Sequence, residues 1–246
     1  MDTSALIDTL DHEGRLLADT AAGAGPDAPV PTCPEWRVRD LLSHLGRVHR
    51  FATRLVAEGL AGPPPFTPDP QLDGDALPEW FREGHRTLVG TLRAADPGLR
   101  CFTFFPAPSP LAFWARRQAH ETAIHRVDAE AALGVDPSPV APEFAADGLD
   151  ELLSGFHTQE RSGMRTDTPR TLRLRATDQN TVWTVWLSDG VPRTERNDDG
   201  AADCELSGPV GTLYFALWNR LPLSALDTEG DPELARLWRE RAAIGG

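Results

Sequence analysis

A chain of 246 residues has room for two ordinary domains or one large one, and 40% hydrophobic with 25% charged residues is the balance of a globular protein. Thirty-seven acidic against 24 basic residues leave a net charge of −13, spread over both halves, so no basic surface is on offer to a phosphate backbone and nucleic acid is not an expected partner. Every basic residue is Arg, a codon signature of a GC-rich genome. Cys33, Cys101 and Cys204 are few, odd in number and far apart, which is no disulfide framework and favours a reducing cytoplasm. The start, Met1 to Ala5, lacks the basic and apolar regions of a signal peptide. No stretch approaches the length of apolar chain that spans a bilayer, so no membrane partner is expected.

In chain order, apolar residues recur at helical spacing over 3–22 through Leu6, Ile7, Leu10, Leu17 and Ala21, until Gly23–Pro26 breaks the pattern. A second helix fits Val38 to Ala57, and Pro63, Pro64 and Pro65 then impose a loop. A third is predicted from Leu77 to Ala95, with Pro78 tolerated in its first turn. A fourth runs from Leu111 to Leu133 and stops at Gly134. Four helices joined by Pro/Gly loops predict a helix bundle able to hold a metal in its interior.

The texture changes after residues 134–139, which read as a linker. The predicted domains are therefore 1–138, helical, and 139–246, α+β. A helix over 142–158 leads into two alternating runs, Thr171–Thr177 and Thr181–Leu187, whose short connection predicts a hairpin. Weaker strands are expected at 191–196 and 202–206, then a helix at 209–219. The last helix, 231–241, has Asp231 as its cap and Pro232 in first position.

The chemistry concentrates in His44, Glu121 and His125. A spacing of four puts Glu121 and His125 one turn apart on one helical face, and two imidazoles with a carboxylate suit a catalytic zinc with an open fourth position. Nickel or iron would also be accepted by such a set. His49 competes with His44, because at 100° per residue it lies deeper in the apolar arc of the second helix. Trp114, Arg117, Glu121, His125 and Asp128 share one stripe of the fourth helix; Asp128 is placed to take the second ring N–H of His125, and Arg117 to pair with Glu121. His120 falls on the apolar side. Its spacing of five from His125 separates the stripe from the zincin pattern.

The run Pro31-Thr32-Cys33-Pro34-Glu35-Trp36-Arg37-Val38-Arg39-Asp40-Leu41-Leu42-Ser43-His44-Leu45-Gly46 resembles the N-terminal hallmark of the mycothiol-dependent maleylpyruvate isomerase family. Glu121, His125 and Asp128 are similar to its second motif, and the segments 208–220 and 229–232 resemble its C-terminal end. The resemblance implies a DinB-like four-helix metal-binding domain followed by a small α+β domain related to sterol-carrier folds. It implies His44 rather than His49 as the zinc ligand, with Glu121 and His125 as the others, and Arg220 as the catalytic arginine of the second domain. It also implies mycothiol as the thiol cofactor, an electrophile as substrate, and an isomerase or S-transferase activity in which the protein's own cysteines take no part. Cys33 is expected to pack. The loop Pro63–Asp75 and the segment Cys101–Pro110 match no motif and are expected to shape the substrate pocket. The competing readings are a non-catalytic, metal-stabilised carrier module using Trp183, Trp186, Phe215 and Trp218, and a regulator that has lost its metal.

Overall fold

The computed structural model describes all residues except 73, 75, 198, 199, 243, 245 and 246, so two positions of the 63–75 loop lie outside the described residues. The chain divides into two compact units, Met1–Ser138 and Pro139–Gly246.

The first unit consists of α1 (Thr3–Ala24), α2 (Val38–Glu58), α3 (Ala76–Ala94) and α4 (Pro110–Leu133). Several of their ends have a local cause. Asp2 caps α1 by accepting the Ala5 N–H at 2.8 Å, Ser109 does the same for α4 with Pro110 in first position, and Gly59 and Gly134 end α2 and α4 in the left-handed region. Leu17, Leu41, Leu45 and Phe81 sit fully buried at the centre. Such side chains contribute about 1.5–3 kcal/mol each when withdrawn from water. A Cβ on Gly46 would fall 2.2 Å from the Trp80 ring, so only glycine lets α3 lie this close to α2. Arg50 covers the same indole, its guanidinium carbon 3.8 Å from the ring centroid.

Helix α4 is buried on nearly every side, its polar residues included. Arg126 is fully enclosed; it donates to Glu13 Oε2 of α1 at 2.7 Å, to Glu130 Oε2 at 2.5 Å and to the Ser138 carbonyl at 2.9 Å. No described helix of either unit is long and apolar enough to cross a membrane.

The second unit opens with α5 (Pro142–Asp150), which continues as a π-helical turn over Glu151–Phe156 where unbroken α-helix is predicted. The widening shows in the His157 N–H, which reaches back five residues to Leu152 at 3.1 Å. It follows Asp150, whose carboxylate is held by the Trp183 indole N–H and by Arg196. Strands β1 (Arg170–Ala176), β2 (Thr181–Leu187), β3 (Arg193–Arg196), β4 (Cys204–Gly208) and β5 (Asp227–Gly230) form one sheet in the order β3-β2-β1-β4-β5. The β1–β2 hairpin pairs Leu174 with Trp183, and β1 runs parallel to β4, pairing Leu174 with Leu206. That register puts all three on one buried face, where α6 (Val210–Leu217) and α7 (Pro232–Arg241) pack. The aromatics Trp183 and Phe215 are core residues here.

Strand β5 has no counterpart in the sequence reading, because its four residues are all exposed and carry no alternation. Its last residue, Gly230, has φ of 85°, and a Cβ there would lie 2.3 Å from the Asp203 carbonyl oxygen. Asp231 then caps α7 from the Glu233 N–H at 2.9 Å, with Pro232 in first position, as predicted.

His157 is buried in this unit, its ring 4.9 Å from that of Trp238 and its Nδ1 3.1 Å from Ser162 Oγ. Burial lowers its pKa to about 4. The unfolded chain therefore takes up a proton below pH 6.5 that the folded chain refuses. Stability from this group is complete above pH 6.5 and drains away as pH falls towards 4, by about 3 kcal/mol in all. Urea unfolding of the full chain at pH 7 and pH 4.5 should show that loss in the wild type, reduced by most of this amount in His157→Gln.

Candidate metal centre

The site begins with a tight loop ahead of α2. Pro29 bridges Arg37, the Val30 N–H donates to the Trp36 carbonyl, and the Cys33 and Trp36 N–H groups each reach back three residues. The Arg37 N–H then donates to the Asp40 carboxylate at 2.8 Å, which starts α2. This loop carries Thr32, Cys33 and Trp36, and the second turn of α2 carries His44.

Helix α4 supplies the opposite wall. Glu121 Oε1 lies 3.5 Å from His44 Nε2 and 3.4 Å from His125 Nε2, while Glu121 Oε2 accepts from Arg117 at 3.1 Å. One carboxylate oxygen is thus tethered and the other is shared by two imidazoles. The three donor atoms all lie within 4.8 Å of one another. A tetrahedral ion with bonds of 2.0–2.1 Å separates its ligand atoms by about 3.3–3.4 Å. Two of the three edges match, and the residues therefore fit a zinc-like ion.

The outer contacts orient the donors. His125 Nδ1 lies 2.7 Å from Asp128 Oδ2, which leaves Nε2 facing Glu121. The other Asp128 oxygen accepts from Thr32 Oγ1 at 2.5 Å, and Cys33 Sγ lies 3.8 Å from Oδ2. The Trp36 ring is 4.9 Å from that of His44 and 5.8 Å from that of His125, so one indole backs both imidazoles. Burial opposes charge at Glu121, yet His125, His44 and Arg117 outweigh it and hold the carboxyl well below its usual range. Burial likewise opposes the His125 imidazolium, but Asp128 and Glu121 raise it to about 9. The cluster thus combines two carboxylates, a fixed guanidinium and a basic imidazole.

Asp128→Ala is expected to weaken divalent metal binding about 10–100-fold, because the His125 ring loses its anchor. Asp128→Asn, which can still accept from His125, should recover part of it; competitive titration against a chelating dye reads both.

His44, Glu121 and His125 converge: the spacing predicts the pairing of Glu121 with His125, and the family resemblance, not the spacing, implies His44. His49, the deeper histidine, goes instead into the core: Nε2 meets Thr122 Oγ1 at 3.0 Å, and the ring packs 5.4 Å from Phe81 and 5.7 Å from His85. Burial and then His85 push its pKa well down. His120 is also buried. Arg220 lies in the second unit just past α6, its Nη1 donating to the Trp218 carbonyl at 2.8 Å. Trp36 and Thr32 had no role in the sequence reading, although both stand in the motif that ends at His44.

The architecture is thus a helical unit carrying a two-histidine, one-carboxylate cluster, joined to an α+β unit. The mycothiol maleylpyruvate isomerase N-terminal domain matches residues 7–130, and that family's C-terminal domain matches 143–237. The chain belongs to the mycothiol maleylpyruvate isomerase family. The crystal structure of the mycothiol-dependent maleylpyruvate isomerase and that of a histidine-to-alanine variant of it are each similar in fold, with a TM-score of 0.68, 12% identity and 93% of both chains covered. No curated protein sequence matches the chain.

Proposed function

We propose that the chain is a mycothiol-using isomerase whose reacting centre is a divalent metal, zinc by preference, held by His44, Glu121 and His125. The observation that carries this is Glu121 Oε1 shared between two imidazole nitrogens at 3.5 and 3.4 Å, with all three donors within 4.8 Å. Nitrogen and carboxylate donors in this ratio suit zinc and would also take nickel or iron. When bound, such a metal holds a coordinating thiol in its thiolate form at neutral pH.

The chain's own residues do the remainder. Asp128 fixes the His125 ring, Arg117 fixes one oxygen of Glu121, and Trp36 walls off one side of the histidines. His44 and Glu121 stay about a quarter exposed, so a ligand can reach the donors from that side. Addition of the thiol sulfur to an unsaturated carbon, bond rotation and loss of the same thiol would isomerise the substrate and return the thiol. Retention of the new carbon–sulfur bond would make the same centre an S-transferase. For Arg220 the family resemblance supports a role in binding a substrate carboxylate, by the bidentate geometry that guanidinium offers.

The test is titration of the cobalt-loaded protein with mycothiol. A sulfur-to-cobalt charge-transfer band saturating at one thiol per chain is the expected result, and an unchanged spectrum removes the reading. With an active electrophile, constant free thiol through many turnovers marks an isomerase, and stoichiometric thiol loss marks a transferase.

A further inference from the structure

We propose that the surface of α2 and α4 next to the donor cluster binds an aromatic carboxylate, with Arg47 taking the carboxylate and Phe66 and Phe104 taking the ring. This deepens the proposed function by assigning a substrate class, and it rests on that reading only in placing the reacting centre at His44.

The two helices run antiparallel, since His44 faces Glu121 and, further along, Phe51 faces Trp114 with ring centroids 6.1 Å apart. Seven residues of helix separate the polar pair from the aromatic pair, about 10 Å, the length of a small aromatic acid. Arg47 stands between them, three residues after His44 and four before Phe51, on the same face. Its Nε donates to the Thr67 carbonyl at 2.6 Å, which fixes the guanidinium plane. No carboxylate pairs with it among the described residues. That is notable in a chain of net charge −13, where Arg54 of the same helix and Arg82, Arg86 and Arg93 of α3 all have carboxylate partners. A tethered, half-buried guanidinium with no carboxylate partner among the described residues is a receptor for a planar anion.

The rings supply the second half of the recognition. Phe66 is 51% exposed and Phe104 39% exposed, and they are the only aromatics among the exposed large apolar side chains of the described residues. Both rest on buried rings: Phe66 stacks on Phe51 at 4.6 Å, and Phe104 meets Trp114 edge-on at 5.3 Å. Two fixed aromatic rings left facing water, one of them (Phe66) beside a guanidinium with no carboxylate partner among the described residues, offer apolar area and charge to a ligand. The Arg47 guanidinium carbon is 5.8 Å from the centre of the Phe66 ring, so carboxylate and ring would be engaged side by side. An acyclic acid could use Arg47 but would leave both phenylalanines wet.

The experiment is calorimetric titration of the full chain with trans-cinnamate, in metal-loaded and metal-free form, beside crotonate and cinnamyl alcohol. One site is expected, with crotonate and the alcohol each about tenfold or more weaker, matching the loss of apolar area and of a charge-assisted hydrogen bond respectively. Arg47→Met, which keeps the aliphatic stem, should weaken cinnamate about tenfold or more, and Phe66→Ala or Phe104→Ala severalfold. Both phenylalanines are exposed, so the variants should fold; far-UV circular dichroism verifies it. Cinnamate affinity should persist in metal-free protein and in His44→Ala. If it vanishes there while Arg47→Met binds normally, the anion sits on the metal and the proposal falls, with the metal reading intact. Crotonate binding as tightly as cinnamate, or indifference to both phenylalanine changes, also overturns it. A failed thiol titration with cinnamate bound as described would sink the metal–thiol reading alone.

Discussion

Alanine in place of His44 or His125 is expected to leave folded protein that retains no stoichiometric divalent metal after dialysis. Each histidine is one of the three donors of the proposed site, and loss of one would remove several kcal/mol of coordination, about a thousandfold in Kd. The two variants should differ in stability, for a reason visible in their surroundings. His44 is 27% exposed and its removal strips little from the core. His125 is 9% exposed and is bonded to fully buried Asp128, so His125→Ala takes away one of the carboxylate's partners in a dry site and should cost about 1–3 kcal/mol besides. Metal analysis by mass spectrometry with parallel urea unfolding checks both statements. Wild-type metal content in either variant would mean the cluster is not the binding site.

Arg126→Met is expected to destabilise the first unit by about 3–5 kcal/mol, a fall on the order of 10 °C in its melting temperature. The guanidinium has no exposure and ties Glu13 on α1 to Glu130 on α4 and to the chain at Ser138. Methionine fills the volume but leaves two buried carboxylates facing each other. Replacing Glu13 and Glu130 together with Arg126 by apolar residues should recover much of the loss, because an uncompensated charge costs more than a well-packed apolar group. If the single change proves mild, the network is wetter than its burial indicates.

Helices α1, α2 and α3 were legible because each buries a face at a period near 3.6, and α7 because Asp231 and Pro232 mark its start. Strand β5 was not, since Asp227–Gly230 pairs only by backbone at an exposed edge and leaves no side-chain pattern. The π-helical turn was equally invisible: it follows Asp150, whose carboxylate is held by Trp183 and Arg196, and a contact between distant segments leaves no local pattern. The histidine contest is the more instructive case. Periodicity correctly placed His49 deeper than His44, but depth means packing against Phe81 and Thr122, whereas His44 keeps a rim position that a ligand can reach. Trp36 and Arg47 carried local signals, one inside the first motif and the other three residues past His44, that only the tertiary arrangement makes readable.

Trp36 has a further consequence, in the language of light. Its indole lies against both imidazoles, within 6 Å centre to centre, and so emits from beside the donors themselves. An open-shell ion such as cobalt held there would drain that emission, whereas closed-shell zinc would not. The chain has seven tryptophans, so the difference between wild type and Trp36→Phe isolates this one. Trp36 would thus serve as an optical gauge of any metal bound at this cluster.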